Sequence, residues 1–130
     1  MLPPATTAVL LIAHGSRRAA ANADLDLLAD QVRQHGGYAI VEPSYLELAQ
    51  PDIPTGGRRC VARGAERVLL LPYFLSAGVH VSADLEEHRS ALSQEFPAVE
   101  FVLCPHLGLH PLMTQIVLGR LAEGNTPAHT

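Results

Sequence analysis

Three side chains that can bind a metal ion follow three apolar stretches of the sequence. His14 follows the run VLLIA, Glu47 comes shortly after the second stretch, and His80 lies beyond the third. Two imidazoles and one carboxylate suit a borderline divalent metal such as Co²⁺, Ni²⁺, Fe²⁺ or Zn²⁺. Three protein ligands leave coordination positions open for another molecule. The sequence therefore predicts an exchangeable metal site, provided that the fold brings these residues together.

Four short apolar segments predict the strands that would do so. They are Ala8–Ala13, Tyr38–Pro43, Arg67–Leu71 and Val99–Cys104. Because helical periodicity fills the segments between them, we predict an α/β fold with a four-stranded parallel sheet flanked by helices on both faces. Ligands of such sheets bind just beyond the carboxyl ends of the strands. His14, Glu47 and His80 are therefore expected at one edge of the sheet.

The sequence pattern defines the bounds of some predicted helices better than those of others. The first covers residues 20–37, with an apolar stripe that ends at Gly36-Gly37. In the second, Pro51–Gly64, Pro54 and a Gly-Gly pair obscure the start. The third covers Val79–Glu95, with His88 on its apolar stripe as a packed or interface residue. The fourth begins near Pro111, a favoured first-turn residue.

Length and composition set further bounds. A chain of 130 residues with 48% hydrophobic content predicts a single domain, with an ordered core over about residues 7–122 and a frayed tail over residues 123–130. The net charge of −4 argues against nucleic acid as a partner. All nine basic residues are arginine, which excludes a Schiff-base or P-loop lysine. Without a long apolar stretch or a signal peptide, we expect no membrane association and a cytoplasmic location.

Glycines adjoin both histidines. Gly15 is expected to turn the chain sharply out of the first strand, and Gly78 is expected to do the same before His80. If His80 begins the third helix, the helix dipole favours the neutral imidazole, which is the form that binds metal.

At these residues the chain resembles the short, single-domain sirohydrochlorin chelatases, the cobaltochelatase type of the class II chelatases. The resemblance rests on LLIAHGSR, PSYLELAQPDI, LPYFLSAGVHVSADL and LGLHPLM, which occur in the family's order. It implies a chelatase-type α/β fold, ATP-independent insertion of a divalent metal into sirohydrochlorin, and a homodimer that forms the cleft between subunits. It also implies that His14, Glu47 and His80 hold the incoming metal.

The resemblance also suggests how the substrate is held. Sirohydrochlorin is a polycarboxylate, so Arg17 and Arg18 are candidates for bidentate carboxylate binding, and Ser16 could donate a further hydrogen bond. Asp84, one helical turn after His80, could orient that imidazole or act as an ordinary first-turn acid. Co²⁺ is favoured on resemblance alone, with Fe²⁺ and Ni²⁺ open, because ligand type does not distinguish these metals.

Other readings of the sequence stay open. Cys104, His106 and His110 could form a second metal site, but the intervening prolines and glycine favour structural roles, with His110 as a helix-entry residue. Tyr73 and Phe74 suit either a flat macrocycle or the core. A metal-binding or metallochaperone module with the same three ligands, and a histidine-type phosphatase suggested by HGSR, are the alternative functions.

Overall fold

A computed structural model of the chain describes residues 6–108 and 110–126, in which strands and helices alternate. The elements are β1 (Thr7–Ala13), α1 (Ala19–Gly36), β2 (Ile40–Tyr45), α2 (Ile53–Ala62), β3 (Arg67–Pro72), α3 (Val79–Glu95), β4 (Glu100–Leu103) and α4 (Pro111–Gly124). Among these described residues, no helix is both long and apolar enough to cross a bilayer.

The four strands form one parallel sheet in the order β2-β1-β3-β4. This confirms the predicted α/β class. β1 lies at the centre, between β2 and β3, so the loops that follow these three strands are neighbours at the carboxyl edge of the sheet. The topology thus places three segments side by side: the loops that contain His14 and Glu47, and the loop that leads to His80 in α3.

Two apolar clusters pack against opposite faces of the sheet. Alternate residues of β1 contribute to both, with Leu10 on the face covered by α2 and α3 and Leu11 on the face covered by α1. The second face is incompletely covered, because Leu69 and Leu71 of β3 are only half-buried and no residue of α4 is buried. The expectation of helices on both faces therefore holds for β1 and β2 but not for β3 and β4.

The second strand differs most from its predicted bounds. The sequence places its end at Pro43, whereas the pairing with β1 continues to Tyr45. Ser44 and Tyr45 are therefore strand residues rather than loop residues. Pro43 is tolerated because β2 is an edge strand, on which a missing backbone N–H leaves no partner unsatisfied. The Ser44 hydroxyl donates to the carbonyl of Leu11 at 2.9 Å, which ties this end of β2 to β1.

The helix ends follow from local chemistry. Gly37, with φ of +73°, ends α1 in the left-handed conformation. Asp52 caps α2 by accepting a hydrogen bond from the Thr55 N–H at 2.9 Å, and Pro54 lies in the first turn, where its missing N–H costs nothing. α3 and the start of α4 lie where the sequence predicts them. α4 continues to Gly124, two residues into the predicted tail, and residues 127–130 of that tail lie outside the described part of the chain.

Candidate functional site

His14 follows the last residue of β1 and is held by an aromatic contact. Its ring stacks on that of Phe74, with centroids 4.1 Å apart and planes 17° from parallel. Phe74 itself is buried in the core just after β3. One face of the imidazole therefore rests on a fixed support, while the residue as a whole stays exposed to solvent.

The loop that carries Glu47 is joined to the His14 loop through the backbone. Leu46 N–H donates to the Ala13 carbonyl at 2.9 Å, and Glu47 N–H donates to the His14 carbonyl at 3.0 Å. Parallel pairing between β1 and β2 thus continues beyond both strands. Gly15 is essential to this approach, because its φ is +100° and a Cβ there would overlap the Glu47 carbonyl. The predicted role of Gly15 as a sharp turn is confirmed.

A second set of hydrogen bonds joins the start of α1 to the end of β2 and to the loop that follows β1. The Tyr45 hydroxyl donates to the Asn22 carbonyl at 2.9 Å, and the Asn22 side chain bonds to both the N–H and the carbonyl of Ser16. Burial, assisted by the charge of Asp26, raises the pKa of Tyr45, so this phenol remains a donor at neutral pH. The Ser16 hydroxyl accepts from the Arg18 N–H at 3.0 Å. Ser16 therefore shapes the turn, and a contact with substrate stays a prediction.

His80 is the second residue of α3 and is exposed. The expectation that Gly78 provides a special turn before it is wrong. Gly78 has φ of −71°, which any residue adopts, and a Cβ there would meet nothing within 4 Å. Asp84 lies one turn further along α3 and is also exposed, and no hydrogen bond joins its side chain to His80 within the described residues. The orienting role of Asp84 stays a prediction.

The arginines beside His14 differ from most others in the chain. Six of the nine arginines form an ion pair with a carboxylate within the described residues. Arg17 and Arg18, both exposed, are not among them, and neither is Arg59 in the last turn of α2. Arg17 and Arg18, three and four residues after His14, thus carry charges that no carboxylate among the described residues pairs with, and an anionic ligand would neutralise them.

An apolar groove of about 650 Å³ opens beside the loop that follows β3. It is lined by Tyr73, Leu75, Leu107, His110, Leu112, Met113 and Ile116. Its size and apolar character are typical of small-molecule sites. Tyr73 and Phe74 have different roles here, because Tyr73 is exposed in the groove whereas Phe74 is buried beneath His14.

The histidines of the CPHLGLHP segment have the structural roles that the sequence favours. His110 is the N-cap of α4, and its Nδ1 accepts from the Leu112 N–H at 3.1 Å. His106 packs against Gly108, and Cys104 lines a small apolar cavity on the sheet. Across residues 6–108 and 110–126, no three His, Cys, Asp or Glu residues lie close enough to bind a metal ion. The same holds for His14, Glu47 and His80, which share an edge of the sheet without forming a closed cluster in a single chain.

Sequence reasoning missed two supporting residues. The sequence suggests a macrocycle contact or a core role for Phe74 and does not indicate that it supports His14. An aromatic residue just after a strand adjacent to β1 is a usable signal for such support. Nothing in the spacing of the sequence marked Asn22, whose bonds to Ser16 depend on how α1 packs.

Comparison with known proteins identifies the family of this chain. The CbiX family profile matches residues 8–124. The chain belongs to the CbiX family. It is 34% identical over 113 residues to the chloroplastic sirohydrochlorin ferrochelatase of Arabidopsis thaliana, covering 87% of this chain and 50% of that protein. It is 34% identical over 122 residues to the sirohydrochlorin cobaltochelatase of Priestia megaterium, covering 94% of this chain and 40% of that protein.

Solved structures show the same architecture at two lengths. The sirohydrochlorin chelatase SirB from Bacillus subtilis subspecies spizizenii, in complex with cobalt, superposes with a TM-score of 0.83 at 25% identity, over 91% of this chain and 50% of that one. A CbiX protein from Marinobacter aquaeolei VT8 superposes with a TM-score of 0.77 at 26% identity, over 91% of this chain and 96% of that one. The chain thus spans half or less of the longer relatives and nearly all of a shorter one.

Proposed function

We propose that this CbiX-family chain inserts a divalent metal ion into sirohydrochlorin without ATP, with His14, Glu47 and His80 as the residues that hold the incoming metal. The observation that carries the proposal is that these residues follow three adjacent parallel strands at one edge of the sheet. Relatives that are 34% identical are named sirohydrochlorin chelatases, which supports the choice of macrocycle.

The donor set suits the transfer chemistry. Insertion moves M²⁺ from protein ligands to four ring nitrogens and releases two pyrrole protons, so charge is conserved when two bases accept those protons. His14 and His80 can bind the ion as neutral imidazoles and accept protons once it has left. Glu47 neutralises part of the metal charge and adds a carboxylate base.

The surroundings suit a flat, polyanionic ligand. The apolar groove beside Tyr73 offers a surface for the ring face, and the unpaired Arg17 and Arg18 offer bidentate partners for peripheral carboxylates. Ser16, as part of the same turn, would contribute a further hydrogen bond. The acidic net charge of the chain does not oppose this, because the local potential at the cleft governs binding.

We further propose that the active form is a homodimer. A single chain leaves His14 and His80 exposed and forms no closed metal cluster among the described residues. Several large apolar side chains at this edge are also exposed, including Leu75, Val79 and Leu112. A second copy would enclose the cleft and exclude water from the transfer step.

The proposed metal is Co²⁺, with Fe²⁺ and Ni²⁺ as competitors. Relatives with similar identity are named cobaltochelatase and ferrochelatase, and nitrogen and oxygen ligands bind all three ions. Cellular supply would then decide which ion is inserted.

The decisive experiment measures metallation of sirohydrochlorin by absorbance with Co²⁺, Fe²⁺ or Ni²⁺, with and without protein. We expect acceleration by the wild-type chain and the spontaneous rate for His80→Ala, with stability changed by no more than about 0.5 kcal/mol because the residue is exposed. His35→Ala, an exposed histidine in the last turn of α1, is the matched control and should retain activity. Metal binding without acceleration by the wild type would instead identify a metal-binding module.

Substrate binding is tested separately with the unpaired arginines. Arg17→Gln and Arg18→Gln should raise KM for sirohydrochlorin and leave kcat less affected, because their proposed partners are carboxylates remote from the ring nitrogens. Arg59→Gln removes an equally unpaired guanidinium from the far end of α2 and should change neither constant. Equal effects of all three substitutions would argue against a local carboxylate site.

A further inference from the structure

Half of one sheet face lacks a helical cover. On the side where α1 packs, Leu11 of β1 is fully buried, whereas Leu69 and Leu71 of β3 and Val102 of β4 are only partly buried. An apolar cavity of about 180 Å³ marks this open face. It is lined by Val9, Leu11, Val32, Tyr38, Leu69, Leu71 and Cys104. Parallel sheets are almost always covered by helices on both faces, so this face requires a helix.

Among the described residues, α4 is the helix in which no residue is buried. Leu112, Met113 and Ile116 line the groove beside Tyr73, which accounts for one side of it. A second stripe, formed by Val117, Leu118 and Leu121, has exposures of 53%, 54% and 62%. Spacings of three and four residues put Leu121 on the same side of the helix as Leu118 and Val117. Within the described part of the chain, this stripe covers no core.

The connection to α4 is attached at the carboxyl edge of the sheet. The N–H groups of Leu107 and Gly108 both donate to the Phe74 carbonyl, at 3.2 and 3.4 Å. Gly108 has φ of +49° and packs against His106, which fixes the turn before the helix. The segment is thereby attached to the loop that follows β3, at the carboxyl edge, and the first stripe of α4 remains in the groove there.

We infer that two copies of this chain exchange α4, so that the Val117–Leu118–Leu121 stripe of each copy covers the β3–β4 face of the other. The two surfaces suit each other because both are apolar, and the Arg67–Glu100 pair lies at the amino end of the sheet face. A two-fold axis would use the same pair of surfaces twice. The inference rests on the pairing proposed above and assigns the segment that makes the contact.

Relatives of two lengths agree with such an arrangement. The longer ones contain about as much chain again beside the region matched here, whereas the Marinobacter protein matches along nearly its whole length. Within the described residues no helix covers β3 and β4 on the side of α1, so a second unit would have to supply that cover. A second copy of the same chain could supply it, because its α4 has an exposed apolar stripe.

Cysteine cross-linking tests the contact, because Cys104 already lines the open face. A Leu121→Cys, Cys104→Ser chain is mixed with wild type under mild oxidation and analysed on non-reducing gels. We expect a disulfide-linked dimer between the two kinds of chain. Cys60 will not compete, because it is fully buried and burial raises the pKa of its thiol to about 12. Glu123→Cys, which lies on the opposite side of the helix from the stripe and is exposed, replaces Leu121→Cys in the control and should give little or no product.

A second readout is the oligomeric state itself, measured by light scattering and sedimentation. Leu118→Glu should raise the dimer dissociation constant at least about 30-fold, as expected for a buried apolar contact at an interface centre. Gly119→Glu adds the same charge at a position that is not three or four residues from any member of the stripe, where a Cβ would meet nothing within 4 Å, and it should leave the constant unchanged. Circular dichroism verifies that each variant is folded. A dimer unaffected by Leu118→Glu would overturn the exchange.

Two further outcomes would also overturn it. One is a monomeric wild type, and the other is a Leu121→Cys chain with native Cys104 that forms the disulfide within one molecule, which would mean that α4 covers its own sheet. These results do not depend on metallation. A metallating monomer would refute only the exchange, and an exchanged dimer without metallation would refute only the proposed chelatase function.

Discussion

The two sides of the candidate site are built in different ways. On the side of His14 and Glu47, two backbone hydrogen bonds, an essential glycine and a stacked phenylalanine fix the geometry. On the side of His80, the residue is exposed at the start of α3, and the preceding Gly78 has an ordinary conformation with open space around it. We call these the fixed side and the open side.

This difference suits the proposed function, in which the chain would have to release the ion it binds. If all three ligands were held rigidly, the ion would be bound tightly and transferred slowly. With one side preorganised and the other free to adjust, the fixed side can define where the metal sits. The open side can then complete the coordination and release it. The following substitutions test that division, from the largest expected effect to the smallest.

Gly15→Ala should damage the fixed side most. The new methyl group would overlap the Glu47 carbonyl and would occupy a positive-φ conformation, which together should cost roughly 3 kcal/mol or more of stability and abolish metallation. Gly64→Ala is the control, because Gly64 has the same φ of +100° but nothing within 4 Å. Chemical denaturation should show a clearly smaller loss for Gly64→Ala. Equal losses would mean that only backbone strain matters.

Phe74→Leu should weaken the support of His14. Loss of the ring contact and of buried volume should cost about 1.5 kcal/mol and lower the metallation rate, because the imidazole loses its stacking surface. Phe96→Leu removes a ring whose partner is Phe101, in a tilted pair 6.4 Å apart, and tests for a general packing effect. A rate unchanged in Phe74→Leu but lowered in Phe96→Leu would contradict the assignment.

Asp52→Ala should loosen the end of the loop that carries Glu47. Loss of the cap to Thr55 should cost about 1 kcal/mol at neutral pH. The Thr55 hydrogen bonds lower the pKa of Asp52 below its ordinary 3.8, so the stabilisation is present above that value and disappears as pH falls through the lowered folded-state pKa. Thermal unfolding of wild type and variant should therefore converge in strong acid. Asp52→Asn keeps a capping oxygen and should retain most of the stability at pH 7.

Gly78→Ala should have the smallest effect. The methyl group meets open space, and the reduced freedom of the unfolded chain stabilises the variant, whereas loss of a glycine at the N-cap has the opposite sign. We expect a net change within about 0.5 kcal/mol and near wild-type metallation. A loss of stability as large as that of Gly15→Ala would show that the open side is in fact constrained.

Some features of the fold could be predicted from the sequence and others could not. The bounds of α3 and the start of α4 were predictable because apolar periodicity and Pro111 are local signals. The second strand was predicted two residues too early, because the proline within it reads as a break unless one knows that the strand lies at an edge. The uncovered face of β3 and β4 was not predictable, since VLLLPYFL is apolar whether or not a helix covers it.

The start of α2 shows the same limit. Gly56-Gly57 obscures this helix in the sequence, yet both glycines lie inside it because of tertiary packing. A Cβ on Gly56 would lie 2.7 Å from Leu10 Cδ1, and one on Gly57 would lie 2.6 Å from Leu92 Cδ1. At the candidate site, the residue types predict that the metal-binding side chains lie at the carboxyl edge of the sheet. The bond between Glu47 N–H and the His14 carbonyl depends on the register of two strands, which no local pattern encodes.

The hydrogen bonds that extend the β1–β2 pairing into the loops make Glu47 part of the cooperative folding unit. Its amide proton should then exchange with deuterium as slowly as those of the central strands. The loss of loop entropy occurs during folding and not when the ion arrives. If Glu47 holds the metal as proposed, its backbone would keep the same conformation through each round of loading and release.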